Sequence, residues 1–537
     1  MPRITLRETD NTIFNVSSID SDNIVYVPGS ATTGPYDAPV LVGSVSDFTK
    51  VFGVNSPSTA DDNIGSAWEY AYYLLNQGLP VLFRRVVPLD SSGVVDETKV
   101  AKAKVVINST GETPAEIWRA EEKFGGTFGN TLRIKLEANS NNTAAILKVY
   151  RQIVRGNNTY YNLLESIKLV TMAITEGVEN TPAYKEALKA NFEISGTVGV
   201  LETDYIKITV KNLTDFTIAP GFTSDLFTGG TDAPEADVQA NIADTYAGLT
   251  DKFEYDVKFI TAGGYTDAGN SRAIVTAMSS LAEARGDCIF LADIPYATDA
   301  DDVPTYFSSI NTSYGAAYAP WAMFRLTTSI AKWMPPSFIF LHTCSKYISK
   351  SDTMWDAPAG VQRGSVPEIV ETEYPISGTT LDAWQNFSVQ CVNPIMRLRN
   401  YGYTIFGQRT LYQVIDGDED NRASLQELAV RLTANEVKRL IYNTCIRLTF
   451  SQNNLATWNE FRSGIEPTLL SMKANGILDD YAVVMDSTTM TDEDVNNNKI
   501  KGMVSISVNR AAEEFEIGFE LNPSEVSILD QTEITIN

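Results

Sequence analysis

Three constellations in this sequence could carry chemistry. The single histidine, His342, is the residue through which any Ser/His/Asp relay would have to pass. The stretch Gly269-Asn270-Ser271-Arg272-Ala273 approaches the GxSxG turn that exposes a nucleophilic serine, but its last glycine is missing. The acidic clusters Asp61-Asp62, Asp299 with Asp301-Asp302, and Asp492-Glu493-Asp494 could pair carboxylates or hold calcium. Each has a plainer reading. Phe338 to Leu341, followed by Thr343 and Cys344, place His342 at the end of a buried strand, where a packed histidine is expected. The glycine-serine stretch reads as a loop entering a helix, with Asp267 or Asn270 as its cap. None of the acidic clusters has the full EF-hand spacing, so they read as solvated loops. One histidine excludes HExxH zinc sites, and neither a GxxxxGK(S/T) loop nor a GxGxxG turn after a strand occurs. No catalytic, cofactor or metal site is expected.

Elements must therefore be sought that position something other than a reaction. With 537 residues the chain exceeds one hydrophobic core, and roughly three or four domains are expected. A content of 43% hydrophobic and 20% charged residues is that of folded domains. The 42 Lys and Arg against 67 Asp and Glu leave a formal charge of −25, which repels phosphate backbones and anionic lipid. If such a chain self-assembles, its contacts must pair local opposite charges against an overall repulsion. Cys288, Cys344, Cys391 and Cys445 are scattered, with no CxxC pair, and read as buried reduced thiols of a cytoplasmic product. Met1 to Asp10 is polar and charged, unlike a signal peptide, and no segment reaches the ~18 uninterrupted apolar residues of a membrane span. A soluble protein is expected.

Periodicity divides the chain. Ile4, Leu6, Ile13, Phe14 and Val16 form short extended segments with little core of their own, a N-terminal arm over 1–22. Asn23 onward alternates strands and helices. Ile24–Gly29 and Val40–Gly43 read as strands, Phe48–Val51 as a helix capped by Ser46 or Asp47 and stopped at Gly53, Ile64–Leu75 as a helix, and Val81–Val87 as a strand. Between 94 and 233 strand-like runs take over (Lys104–Ile107, Leu132–Leu136, Ile146–Tyr150, Tyr205–Val210), as in an inserted β-sandwich or barrel. The α/β alternation resumes at Ala236, with a helix to Leu249, a strand Val257–Thr261, a helix Ala273–Arg285 and a strand Cys288–Ala292. Regions 23–93 and 234–415 thus form one central α/β domain. In 416–521, Glu427–Leu432 reads as a strand, Thr433-Ala434-Asn435-Glu436 as a capping box opening a helix with Val437, Leu440, Ile441 and Cys445 inward, and Leu455, Trp458, Phe461, Ile465, Leu469 and Met472 as a second helical stripe ending at Asn475-Gly476. Strands follow at Tyr481–Asp486, Met503–Val508 and Phe515–Leu521. A tail over 522–537 repeats the strand alternation with Ile534 and Ile536.

Read in order, several segments resemble the contractile tail sheath family of phages and phage-derived tailocins: Gly34-Pro35 with Pro39-Val40-Leu41-Val42 and Phe52-Gly53; Gly125 to Ile134, containing Gly129 and Asn130; Phe227 to Asp232; Arg285-Gly286-Asp287; Asp293-Ile294-Pro295; Tyr314 to Trp321, with Pro320; Pro335-Pro336-Ser337; Trp355 to Gly364, with Pro358, Gly360 and Arg363; and Gly402 to Leu411, with Gly407 and Arg409. The resemblance covers nearly the whole chain. It implies a multi-domain α/β and α+β protein with a central subtilisin-like sheet, which leaves a subtilisin-like hydrolase, or another phage structural protein of baseplate or capsid type, as alternatives. It implies sixfold rings stacked helically around a tail tube, with baseplate and tail terminator proteins at the ends, contracting to drive the tube through a host envelope. The place of such a protein is a virion tail assembled in the host cytoplasm. Terminal strands of the family reach into neighbouring subunits. Here the arms would be Ile4, Leu6, Ile13, Phe14 and Val16 with Ile534 and Ile536, and the acceptor sheet Val504, Ile506, Val508, Phe515, Ile517, Phe519 and Leu521. Arg363 and Arg409 are expected as clamps within the chain.

Overall fold

The computed structural model describes residues 23–510, apart from 55–62, 91, 93, 109–115, 214–215, 253, 268–270, 349–358, 386–390, 414–422, 487–488, 491–492, 495–496 and 498. Both expected arms, the strand Phe515–Leu521, Pro358, Asn270, Asp61-Asp62 and Asp492 lie outside the described residues. The protein is mixed α/β with several sheets, in two compact units, residues 1–443 and 444–537.

The first unit begins with β1 (Val25–Gly29), β2 (Val40–Val42), α1 (Val45–Phe52), α2 (Ala67–Asn76) and β3 (Val81–Arg85). Ser44, not Ser46, caps α1 by accepting the Asp47 amide, and Ser66 with Glu69 forms a complete capping box on α2. Phe48, Phe52 and Phe83 are fully buried, with ring centroids 4.7–5.4 Å apart. Each such ring contributes about 2–3 kcal/mol by leaving water.

The chain then builds β4 (Lys104–Asn108), β5 (Glu116–Glu122), β6 (Leu132–Ala138), β7 (Ala145–Arg155), β8 (Asn158–Val170), α3 (Pro182–Lys189), β9 (Glu193–Ser195), β10 (Val198–Glu202) and β11 (Ile206–Val210). They form a five-stranded sheet, β4-β5-β11-β10-β9, and a meander, β6-β7-β8, which close on one apolar core including Trp118, Phe128, Ile134, Leu147, Tyr184, Ile208 and Phe216. Buried and half-exposed residues alternate along β6 and β11, as strands with one wet face require. Helix α3 breaks the expected all-strand run. Pro182 stands in its first turn and Thr181 caps it.

The α/β pattern returns with α4 (Glu235–Asn241), β12 (Phe259–Ile260), α5 (Ala273–Arg285), β13 (Ile289–Ala292), α6 (Val303–Tyr306), β14 (Gly315–Ala319), β15 (Ala322–Arg325), β16 (Ala331–Met334), α7 (Pro336–Ile348), α8 (Gly360–Arg363), β17 (Ile369–Thr372), α9 (Gly378–Trp384), β18 (Asn393–Leu398) and β19 (Gly402–Ile405). The main sheet has the order β19-β18-β14-β13-β12-β1-β3-β2, parallel from β18 to β3 with an antiparallel strand at each edge. Its inner strands β1, β13 and β14 are buried along their whole length, because helices cover both faces. Val25 and Val27 join the core containing α1, α2 and α7 residues, while Tyr26 joins the one containing α5.

Three expectations are corrected here. His342 lies in α7, a helix, because apolar residues all round suit a helix buried on every side as well as a strand. The expected strand Glu427–Leu432 is helical from Leu428 on, and Thr433–Glu436 is no helix start: Leu428 to Glu436 all lie in α10 (Leu428–Leu448), with Glu427 just before it. The reason is tertiary. Along α10, Asn435 Nδ2 donates to Cys288 O at 3.3 Å, Glu436 pairs with buried Lys258, and Arg439 donates to Asp256 and to the Val257 carbonyl at 2.5 and 2.6 Å, all at the starts of central strands. Cys445 is exposed, whereas the other three thiols are buried.

The second unit contains α11 (Leu455–Ala474), β20 (Leu478–Val484) and β21 (Met503–Val508). Asn454 caps α11, which continues through Pro467 and ends at Asn475 with Gly476 at φ 75°. Phe461, Ile465, Leu469 and Met472 form its buried stripe, as expected, but Leu455 is exposed.

Candidate assembly surfaces

In an open parallel sheet, ligands are received where the strand order reverses, outside the carboxyl ends. Here that point lies between β1 and β12. It is filled with side chains. Asp293, just past β13, accepts the Ser337 amide at 2.7 Å and the Ser337 hydroxyl at 2.6 Å, so it caps the start of α7. Ser337 Oγ lies 3.0 Å from the Tyr70 hydroxyl, and Tyr246 donates to the Thr261 carbonyl at 3.0 Å. Burial pushes the Asp293 carboxyl up to about 7, against the two hydrogen bonds from Ser337 that favour its charge. Burial likewise raises Tyr70 and Tyr246 well above the ordinary phenol range. Gly29 and Gly263 at these strand ends have no room for side chains: a Cβ on Gly29 would stand 2.2 Å from that of Ala67, and one on Gly263 2.4 Å from the Pro28 carbonyl oxygen.

His342 is packed between Phe324 and Phe338, and its Nε2 lies 3.5 Å from Glu368. Lys346 donates to the same carboxylate at 2.9 Å. Burial depresses the imidazole's proton affinity. For Glu368, burial acts upward but is outweighed by the neighbouring His342 imidazole and the hydrogen bonds from Lys346, which hold it at about 2. Ser271 contacts Asp267 at 3.4 Å, and the Asp267 carboxylate accepts the Ile274 amide at 3.0 Å, the capping role expected of it.

The loop motifs singled out in the sequence close on one another. Asn130 Nδ2 donates to Gly230 O and Asn130 Oδ1 accepts Gly230 N, both at 2.9 Å, while Thr127 N and Oγ1 donate to Asp232 at 2.8 and 2.6 Å. The Gly125–Ile134 and Phe227–Asp232 segments are thereby one joint. Gly129 packs so tightly that a Cβ would stand 2.6 Å from that of Ala103. Arg285 donates to the Asp287 carboxylate and to the Leu249 and Tyr255 carbonyls. Trp321, following Pro320, donates its indole N–H to Ile294 O at 2.6 Å. Asn393 donates to Ala317 O at 3.0 Å and to Arg409 O at 2.8 Å, and accepts the Arg409 amide at 2.6 Å. Gly360, at φ 72°, opens the turn that ends in Arg363, and Gly364 receives the Ile405 amide at 2.8 Å. Gly407 abuts Asn393, leaving no space for a Cβ.

One joint had no motif. Arg85, at the end of β3 and 1% exposed, donates Nε to Ala31 O at 3.1 Å, Nη1 to Gly34 O at 2.8 Å and Phe124 O at 3.2 Å, and Nη2 to Gly125 O at 2.7 Å. Thr33 donates to buried Glu122 at 2.7 Å beside it. The sole signal in the sequence was a pair of arginines, Arg84-Arg85, inside an apolar run.

Of the expected acceptor sheet, Val504, Ile506 and Val508 lie on β21, paired with Val483, Tyr481 and Leu478 of β20. They are half-buried and alternate with exposed Met503, Ser505 and Ser507. Two strands give two edges, and such a ribbon is marginal until further strands join it.

Comparison with known proteins reads this pattern. No family model matches the chain. The tail sheath protein of Enterobacteria phage T4 is 22% identical over 394 residues, covering 69% of this chain and 55% of that protein. The chain is related to the phage tail sheath proteins. That of Vibrio phage KVP40 is 21% identical over 175 residues, covering 33% of this chain and 24% of the relative. The chain thus spans about half the length of the T4 protein it matches, and less of the second. The crystal structure of a sheath tail protein from Listeria innocua shares the fold, with a TM-score of 0.53 at 12% identity over 91% of this chain and 95% of that one. A sheath tail protein from Desulfitobacterium hafniense does so with a TM-score of 0.50 at 11% identity over 95% and 100%. The helical sheath of the anti-feeding prophage in its contracted state has a TM-score of 0.50 at 14% identity over 97% and 99%.

Proposed function

We propose that this chain is a structural, non-catalytic subunit of a contractile tail sheath. It polymerises as stacked sixfold rings around a tail tube, bounded by baseplate and terminator proteins, and shortens to drive the tube through a host envelope. The observation that carries the reading is the match to the phage T4 sheath protein, together with the order of the motif joints along the chain. The central domain, 23–93 with 234–415, is read as subtilisin-like in architecture and 94–233 as an inserted β-sandwich; 416–521 is the polymerising domain. Arms at 1–22 and 522–537 add strands to the sheet begun by β20 and β21, through Ile4, Leu6, Ile13, Phe14, Val16, Ile534 and Ile536. The plugged crevice at the strand ends supports a scaffold reading of the central sheet. Gly129, Asn130, Pro320, Trp321, Pro358, Gly360, Gly407 and the two arginines Arg363 and Arg409 hold the fold rather than touch a partner. A head-to-tail contact that does not close on itself yields a helical polymer.

Electron microscopy of the purified full chain tests this. Helical tubes or ring stacks are expected, and removal of residues 1–20 abolishes them while leaving a folded monomer. A chain that stays monomeric under all salt conditions, or a truncated one that still forms tubes, refutes respectively the function and the arm assignment.

A further inference from the structure

The β7–β8 hairpin outruns the rest of its sheet. Strand β6 pairs with β7 only as far as Arg151, opposite Leu132, but β7 and β8 remain paired from Gln152↔Tyr161 to Arg155↔Asn158. A two-stranded tip therefore projects about 14 Å beyond its neighbour, at roughly 3.4 Å per residue. It turns through Gly156 at φ 58°. Along the tip and the adjoining part of β8, Val154 is 64% exposed, Tyr160 51%, Tyr161 41% and Leu163 51%. Strand β8 is the last strand of its sheet, so its outer backbone edge pairs with no strand there among the described residues. Exposed β-branched and aromatic residues on a free edge form the kind of surface that recruits another chain.

Charge says which chain. From Ala138 to Leu164 the sequence carries Lys148, Arg151 and Arg155 and no Asp or Glu, although acids outnumber bases 67 to 42 over the protein. Lys148 is neutralised by Glu137 at 2.7 Å. The other cations of this end are not. Arg133 lies over the Tyr161 ring at 5.0 Å and Arg151 over Phe128 at 5.5 Å, Arg155 stands at the exposed turn, and among the described residues none of the three forms an ion pair. The hairpin is thus a cationic, aromatic projection on a chain of net charge −25. Two such chains repel unless the contact inverts the charge locally, and this tip is such an inversion.

We propose that the β7–β8 hairpin is a contact between copies of this chain, its tip and β8 edge lying against an acidic surface of a second copy. This rests on the reading that the chain assembles with itself. The tip holds its neighbour by cation–carboxylate pairs around Arg155 and by burial of Val154, Tyr160 and Leu163. Nucleic acid is disfavoured as an occupant, since phosphates approaching the tip meet the repulsion of the whole chain.

The test is a photo-crosslinking residue, p-benzoylphenylalanine, in place of Tyr160 in the full chain, with V154S/R155E/L163S as a companion. In assembled tubes, irradiation is expected to give covalent dimers and higher multimers. The triple variant is expected to melt like the parent, because its positions lie outside the core, and to raise the critical concentration for assembly about tenfold, with the gap narrowing at high salt. Tubes that form normally while position 160 crosslinks only within its own chain, or to nucleic acid, overturn the hairpin contact and leave the sheath reading standing. An unchanged critical concentration in the triple variant does the same. A parent chain that forms no assembly overturns both.

Discussion

Asp293→Asn separates the two consequences of burying a carboxyl group without a cation. The native carboxyl is held at about 7 by burial, while in the unfolded chain it returns to its ordinary 3.8. Between those values the folded protein keeps a proton that the unfolded chain releases, so stability falls as pH rises and the full penalty is present above pH 7. At about 1.4 kcal/mol per pH unit, the roughly 1.5 units between pH 5.5 and 7 amount to about 2 kcal/mol. Asparagine has the same shape and no charge. Its Oδ1 can accept the Ser337 amide and its Nδ2 can donate to Ser337 Oγ, whose own proton is then free for the Tyr70 oxygen 3.0 Å away. Urea unfolding of parent and variant, followed by tryptophan fluorescence at protein concentrations below assembly, gives the difference directly. Other titrating groups are common to both proteins and cancel. The variant should gain about 2 kcal/mol relative to the parent between pH 5.5 and 8. Parallel pH profiles would mean that the carboxylate is already ionised at pH 5.5 and that the burial reasoning is wrong.

Replacing Arg85 by Met removes donors from four carbonyls and leaves Glu122 without its cation; a loss of about 3–5 kcal/mol is expected in the same unfolding measurement. Asn130→Ala breaks both bonds to Gly230 and should cost about 1–3 kcal/mol. Limited proteolysis should then cut faster near Thr231, since the loop loses its tether; unchanged cleavage would show that Thr127 and Asp232 suffice. Glu368→Gln acts on a half-exposed group, so its effect at neutral pH should stay below about 1 kcal/mol. A carboxyl held at about 2 supplies its stabilisation above the ordinary carboxylate range and loses it as pH falls toward 2, so melting curves of parent and variant should converge on acidification.

Local signals account for much of the fold. The helix Ala273–Arg285 and the strand Met503–Val508 have the bounds that periodicity implied, and Gly53 and Gly476 end their helices as expected. Failures occurred where neighbours outvoted local pattern. Thr433–Glu436 has the composition of a helix start, yet Leu428 and Leu432 are buried in the central core and so carry α10 back beyond it. The sequence around His342 reads equally as a strand, because a wholly buried helix has no polar stripe to betray its period.

The candidate sites divide in the same way. The order of Gly, Pro, Asn and Arg motifs along the chain is legible in the sequence, because it depends on residue identity alone. Which motif meets which could come only from the folded chain: Asn130 with Gly230, Asn393 with Arg409, and Asp293 with Ser337 are separated by 100, 16 and 44 residues. The clamp of Arg85 on four carbonyls was illegible, since backbone carbonyls exist at every residue and only geometry selects them. The same holds for the hairpin tip. Sequence fixes its lack of acids and its tyrosines, but its exposure follows from where β6 stops pairing, a property of three strands together.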